Sequence, residues 1–405
     1  MPGAGAHRAA VAVWAGALAG ALGWATAAAA PPATGRVLPG TAPGAGFAQA
    51  LESRPFVFPR DHGPHPQYRQ EWWYVTGNLD AASGERFGFE LTFFRFALAP
   101  PAAAGPAATA GADMPGAPGA TPGETSAWRT REMYMAHFAI TDVARRRFRF
   151  AQKLSRAALG LAGAQAPPLR VWIDDWSLAG IEPAPTPAAL APWTLHAAQD
   201  GYEIELTLEP LTAPVPNGAA GLSRKSAEPS AANYYYSVPR LKVRGRLLRD
   251  DRPLEVHGLA WLDREWGSGG LAAEQAGWDW FALQLSDGGA LMFYALRERD
   301  GRRDPWSAGT WIAPTGEARP LANADVAIAV TDSWRNAQGV RYPAAWRIEV
   351  PALALSLAVR PVLPDQELKT TPHYWEGAVD AGGERSGESV SGRGYVELVG
   401  YAPER

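Results

Sequence analysis

The chain has 405 residues, 47% of them apolar and 20% charged, with a formal net charge of −3. That is a globular composition with material for two or three cores, and it excludes a nucleic-acid partner, which needs a concentrated basic surface. Cysteine is absent, which removes disulfides, thiol nucleophiles and cysteine-ligated metals together.

Arg8, the apolar run 9–22 and the small residues 25–30 (ATAAAA) read as a signal peptide over residues 1–30. The run is shorter and richer in Ala and Gly than a membrane span of about 20 strongly apolar residues, although an uncleaved N-terminal anchor is the alternative. An exported protein, periplasmic or secreted, is therefore expected. Residues 31–55, rich in Pro, Gly and Ala, read as a flexible tether, with folded structure from Phe56 onward.

From there the chain reads as strand after strand. Residues 71–79 (EWWYVTGNL) are aromatic and β-branched. After a polar turn, residues 86–98 place Phe87, Phe89, Leu91 and Phe93 at period two, the mark of a strand with one buried face. Residues 99–126 are Pro, Ala, Gly and Thr, so they read as a disordered insertion that cannot offset the entropy of ordering. Strands are expected at 133–143, 147–152 and 171–178, with a hairpin around 199–201 and a polar loop at 211–233. Residues 234–248 resume the strands and turn over at 249–253 (RDDRP). Strands at 256–264, 278–285 and 290–297 follow, with Asp287-Gly288 and Asp300-Gly301 as hairpin dipeptides. The last strands are expected at 326–330, 346–350, 353–359 and 394–401. With no convincing amphipathic helix, the pattern predicts an all-β antiparallel fold, sandwich or barrel. The 17 Trp and 13 Phe would dominate its core and can also line a cavity.

Several phrases carry a family resemblance: 71–79 (EWWYVTGNL), 135–142 (MAHFAITD), 261–268 (WLDREWGS), 277–285 (GWDWFALQL), 374–379 (YWEGAV) and 392–401 (GRGYVELVGY). In this order the chain resembles the carotenoid 1,2-hydratases (hydroxyneurosporene synthases) and their exported lipocalin-like relatives, from Phe56 to the C-terminus. The resemblance implies two lipocalin-like, calycin-type antiparallel β-barrel domains packed side by side, spanning 56–248 and 249–405. It also implies a ligand bound within a barrel or at their interface. A family fold does not by itself fix an activity.

The densest chemistry lies at residues 257–266. In an extended strand His257, Leu259, Trp261, Asp263 and Glu265 share one face, and Ala260, Leu262, Arg264 and Trp266 the other. Carboxyls among indoles suit hydration of an alkene. An acid with its pKa raised by an apolar pocket delivers the proton, and the cation sits over aromatic faces. Asp263 and Glu265 are the candidate acids, Tyr294 a group to hold water, and Trp261, Trp266, Trp278 and Trp280 the aromatic walls. Glu71 and Trp73, within an aromatic run, and Glu376, within Tyr-Trp-Glu-Gly, are further candidates for a ligand site. The bland alternative has Asp263 and Glu265 closing a barrel-rim turn against Arg264 or Arg297. The resemblance also implies a histidine where Arg264 stands and an Asp near 292–296 (MFYAL), which has no carboxylate.

The histidines of 61–65 (DHGPH) lie in a Pro-broken loop, and His137 reads as a hydrogen-bonded core residue. No cofactor and no metal site are expected. There is no G-x-S-x-G elbow, H-E-x-x-H or phosphate-binding glycine loop. Two functions stay open. The first is an exported carrier of a hydrophobic, isoprenoid- or lipid-like ligand, with an envelope ABC-type transporter as partner. The alternative is a hydratase-like lyase adding water to a C=C bond of an apolar isoprenoid.

Overall fold

The computed structural model describes residues 46–101, 130–181 and 191–402. The signal-peptide reading, residues 31–45 of the expected tether and nearly all of the 99–126 insertion lie outside them. Among the described residues regular structure is β-strand with three short 3-10 turns.

The first sheet contains β1 (Gln70–Ala81), β2 (Arg86–Ala97), β3 (Glu132–Asp142), β4 (Arg147–Arg156), β5 (Ala162–Gln165), β6 (Arg170–Ile173) and β7 (Trp176–Gly180). It continues through β8 (Trp193–Gln199), β9 (Tyr202–Pro210), β10 (Val215–Pro216), β11 (Leu222–Arg224), β12 (Ala232–Arg249) and β13 (Arg252–Gly267). The second holds β14 (Gln275–Leu285), β15 (Ala290–Glu298), β16 (Ala308–Ile312), β17 (Ala318–Ala322) and β18 (Ala327–Arg335). It ends with β19 (Arg341–Val350), β20 (Leu355–Pro361), β21 (Glu367–Leu368), β22 (Tyr374–Arg385) and β23 (Glu388–Val399).

In the first sheet the order β4-β3-β2-β1-β13-β12-β9-β8-β7-β6-β5 curls until β4 meets β6, a nearly closed barrel. The second, β17-β16-β15-β14-β23-β22-β20-β19-β18, stays open as a half-barrel. All of these pairings are antiparallel, as the alternating sequence predicts.

Each sheet wraps its own core. Leu79, Phe89, Leu206, Ala260, Leu262 and Trp266 belong to the first, and Phe281, Leu283, Leu357, Val396 and Leu398 to the second. The outer faces of β1, β12 and β13 then pack on those of β14, β15, β22 and β23 through Tyr74, Tyr235, Trp261, Trp280, Met292 and Tyr395. Strands at this seam are buried on both sides, which is why their sequences lack clean alternation. The approach is close. A Cβ on Gly88 would lie 2.6 Å from Ala378 Cβ and 2.7 Å from Tyr395 Oη.

Four expectations change. Residues 46–55 are not a free tether: Ala50 is buried, and Ala48 N–H donates to Gln67 O at 2.9 Å. The strand expected at 171–178 is broken by a turn with Asp174 at φ 53°. The 249–254 boundary is the β12–β13 hairpin, with Asp250 and Asp251 at φ 48° and 61°, so the chain changes sheets only after Gly267. Residues 211–233 are no peripheral loop. They supply β10 and β11, and Asn217 joins Ser237 to Thr310 of the second sheet, both bonds at 2.8 Å.

Inside one end of the barrel lies a closed ionic network. Glu71, fully buried, is paired with Arg95 and Arg264 and accepts the backbone N–H of His65 at 3.0 Å. Arg264 also donates to Gly63 O at 2.6 Å and lies 3.9 Å over the Trp73 ring, while His65 stacks on Trp266. Burial alone would raise the Glu71 pKa; Arg264 and then Arg95 reverse this and hold it well below the carboxylate range. Removing one partner from such a network leaves an uncompensated buried charge. Arg264→Met is therefore expected to lower stability by about 3–5 kcal/mol in urea unfolding, whereas a ligand bound at the seam should keep its affinity per folded molecule.

Candidate functional site

Strand alternation sends Trp261, Asp263 and Glu265 out of the barrel, toward the second sheet, while Arg264 and Trp266 point inward. There a cavity of about 140 Å³ opens between the sheets, close to the ~150 Å³ that accepts a benzene ring in an engineered core. Trp72, Phe94, Tyr235, Trp278, Trp280 and Leu296 give it apolar walls, and Asp263, Glu265, Lys225, Tyr294 and Glu397 its polar groups.

Asp263 comes from β13, on the barrel side. Its Oδ1 accepts from Ser237 Oγ at 2.5 Å and Trp261 Nε1 at 2.6 Å, and its Oδ2 from Tyr235 Oη at 2.5 Å. Tyr235 Oη in turn accepts from Trp280 Nε1 at 3.2 Å. Two residues on, Glu265 accepts from Asn233 Nδ2 at 2.7 Å and lies 3.6 Å from Lys225 Nζ. Glu397 comes from β23, on the other sheet, and has one side-chain donor, Trp278 Nε1 at 3.0 Å. Behind it sit two carboxyls outside the cavity lining. Glu376, directly opposite Glu397 in register, accepts from Tyr74 Oη at 2.6 Å, and Glu90 accepts from Thr92 Oγ1. Glu90 Oε2 and Glu376 Oε2 are both buried without a hydrogen-bond partner.

Of the expected site residues, the cavity gathers Asp263, Glu265, Tyr294, Trp278 and Trp280. Trp261 stands behind them as a donor to Asp263, and Glu376 behind Glu397. Glu71, Trp73 and Trp266 are corrected: they point into the barrel, on the opposite face from Trp72, Tyr74 and Glu265. Arg264, at the position where the resemblance implies a histidine, shares that interior and has no access to the cavity. The alternative of Asp263 or Glu265 pairing with Arg264 or Arg297 is also set aside, because Arg297 binds Asp279 at 3.0 Å. His137 is a core residue, 2.7 Å from Tyr374 Oη.

Sequence reasoning passed over Glu397, Glu90, Tyr74, Tyr235 and Lys225. The signal for Glu397 lay in 395–399 (YVELV): Val396 and Leu398 fill the second core, so Tyr395 and Glu397 must face the seam. Lys225 carried none, because its polar segment looks like any loop.

A family model for AttH-like proteins matches residues 49–401. The chain belongs to the AttH-like family. It is 31% identical to an AttH from Nitrosomonas europaea, with a TM-score of 0.73 over 88% of this chain and 100% of that one. Dehydratase asqC of Emericella nidulans is 27% identical over 225 residues, 51% of this chain and 60% of that protein, so less than two thirds of the relative is spanned. Kievitone hydratase of Nectria haematococca shares the fold at a TM-score of 0.61 and 15% identity, over 87% of this chain and 98% of that one. The family model places the protein at the level of the AttH-like family.

The seam of this AttH-like protein shifts its acids upward. Burial, with Glu265 nearby, pushes Asp263 up to about 7 against the pull of its three donors. Burial, with Asp263 and Glu265, pushes Glu397 to about 7. Burial and Glu397 push Glu90 to about 8, and burial, Glu397 and Glu90 raise Glu376 well above the ordinary value. A raised carboxyl pKa means that the native state binds more protons than the unfolded one. Its contribution to stability is therefore present below the unfolded value of about 4 and is lost as pH rises through the folded one. Replacing Glu90 by Gln removes one such proton. Between pH 5 and 8 the stability of Glu90→Gln should fall less steeply than wild type, by on the order of 1 kcal/mol per pH unit. Denaturant midpoints measured across that range check this; parallel profiles would place Glu90 in the ordinary carboxylate range.

Proposed function

We propose that this AttH-like protein is a lyase that adds water to, or removes it from, a C=C bond of an apolar small molecule. The observation that carries this reading is the pair Asp263 and Glu397. They come from different sheets, line one aromatic cavity, and both titrate at about 7. A general acid and a general base work best with pKa values near the operating pH, and water addition needs one of each.

Their hydrogen bonds suggest the division. Asp263, with three donors, is the better carboxylate, while Glu397, with one, is the better holder of a proton. In elimination Asp263 takes the proton from the carbon beside the C–OH, the electron pair forms the C=C bond, and the C–O bond breaks as Glu397 protonates the leaving hydroxyl. Water departs, and the proton gained by Asp263 returns to Glu397 through the cavity before the next turnover. Hydration runs the same steps backward. Trp278, Trp280 and Tyr235 offer ring faces to positive charge developing on carbon. The dehydratase and hydratase likenesses support this reaction class.

The aromatic lining supports a ring or isoprenoid-like substrate. It serves carriage of a hydrophobic ligand equally well, but two facing carboxyls held near neutrality add nothing to carriage and cost stability above their unfolded pKa.

The test is incubation with acyclic carotenoids and prenylated phenols in ¹⁸O-water, with mass spectrometry of recovered material. Incorporation should fall about 10²-fold or more in Glu397→Gln and Asp263→Asn, with binding of an apolar fluorophore nearly unchanged. Retention of these molecules and of a conjugated enone, with no label in any of them at any pH, would leave carriage as the function.

A further inference from the structure

One end of the cavity is built differently from the rest. Lys225 Nζ donates to Ser223 Oγ at 3.0 Å, Ser223 Oγ lies 3.0 Å from Tyr294 Oη, and the ammonium sits 3.9 Å over the Tyr294 ring. The lysine is fixed in place: its backbone N–H donates to Ala231 O, and its carbonyl accepts from Gln275 Nε2, each at 2.7 Å. Its side chain is 14% exposed. We propose that Lys225 and Tyr294, which line the cavity and are linked through the buried Ser223, form an oxygen-binding subsite, and that the substrate carries a carbonyl conjugated with the carbons that gain and lose water.

A purely structural lysine would end on its carboxylate. Here Glu265 is satisfied at 2.7 Å by Asn233, and Lys225 stands off at 3.6 Å, beyond a good hydrogen bond. An ammonium has three N–H donors; Ser223 accepts one, the Tyr294 ring faces another, and the third has only the long 3.6 Å ion pair with Glu265, which a guest oxygen in the cavity can replace with a shorter bond. Burial works against its charge, but Glu265, with Tyr294 and Asp263, more than compensates and raises its pKa, so it stays cationic. An unadorned alkene gives such a cation nothing to bind and would leave it facing hydrocarbon.

The subsite rests on the lyase reading and specifies it. In a β-hydroxy ketone, Asp263 removes the α-proton and the electron pair moves onto the carbonyl oxygen as an enolate. That negative charge is what a fixed ammonium and a hydroxyl stabilise best. The enolate then collapses, the β C–O bond breaks, Glu397 gives its proton to the leaving hydroxyl, and enone and water result. Hydration of an enone is the reverse.

The experiment compares two probes on the full-length protein: 4-phenyl-3-buten-2-one, an aryl enone, and 1-phenyl-1-butene, its hydrocarbon counterpart. Affinity is read by tryptophan quenching and carbonyl polarisation by the enone's ultraviolet absorption. Wild type should bind the enone at least about 10-fold more tightly, as a hydrogen bond to a charged group gives, and shift its absorption to the red. Lys225→Met should lose both the preference and the shift while holding the hydrocarbon unchanged, and Lys225→Arg should recover part of each. Equal affinity for the two probes in wild type, which needs no variant, overturns the proposal, as does a preference that survives Lys225→Met. Label incorporated into a simple alkene at the same rate with or without Lys225 also overturns it and leaves the lyase reading standing. A red-shifted enone that never yields a β-hydroxy ketone labelled at its hydroxyl does the opposite: it keeps the subsite and removes the lyase.

Discussion

Burial of both faces of β1, β13, β14 and β23 is the constraint on which the rest depends. A barrel standing alone would turn its outer face to water, and carboxyls there would titrate like model peptides. Docking the half-barrel onto that face removes the water, and every polar group between the sheets must then find a protein partner or stay neutral. Tyr235, Ser237 and Trp261 around Asp263 are the first solution. Glu90 and Glu376, each with an unpartnered oxygen and a raised pKa, are the second.

The same strands show how one residue of register decides chemistry. On β1, Glu71 points into the barrel, between Arg95 and Arg264, and its pKa falls. Trp72 and Tyr74, its neighbours on the other face, line the cavity, where acids rise. On β13 the step from Asp263 to Arg264 crosses the same divide. The inward set pairs Glu71 with Arg95 and Arg264, and Arg95 in turn with Glu132 at 3.0 Å, and serves as architecture. Across the seam, burial and mutual repulsion raise Asp263, Glu397, Glu90 and Glu376, so the site keeps protons that an ordinary surface would release. Stability lost to this arrangement at neutral pH is the expected mark of groups held for reaction rather than for folding.

How far this was legible follows from where each signal lives. Strand alternation is local, so Phe87 to Phe93, the Asp287-Gly288 turn and the facing of Asp263 with Glu265 could be read directly. The 171–178 stretch looked continuous because Val171, Ile173, Trp176 and Leu178 are all apolar; the mark of the turn is Asp174-Asp175 between them, where the buried positions pass from odd to even numbers. The placing of Glu71, Trp73 and Trp266 failed for a different reason. On a strand buried on both faces, an aromatic neighbour says that a residue is inside without saying which inside. Hairpin chemistry at 249–253 likewise reads the same whether it joins two domains or two strands of one sheet.

Lys225 shows the limit of local reading most sharply. Its segment, 211–233, is polar and largely irregular because it sends only Val215, Leu222 and Ala232 into the cores and otherwise closes the end of the seam. Asn217 ties it to Ser237 and Thr310, Gln275 holds the Lys225 carbonyl, and Ser223 reaches Tyr294 on the second sheet. Each bond joins residues far apart in sequence, so none has a short-range pattern. A surface loop would be free to vary in such composition, but a segment whose polar side chains are buried must find partners for most of them, and here only Thr212 Oγ1 and Asn233 Oδ1 lack one. That obligation places a cation against the aromatic wall of an otherwise acidic, apolar cavity. In the proposed reaction Asp263 and Glu397 move the proton, and the segment that closes the seam sets where negative charge on the substrate would be held while it moves.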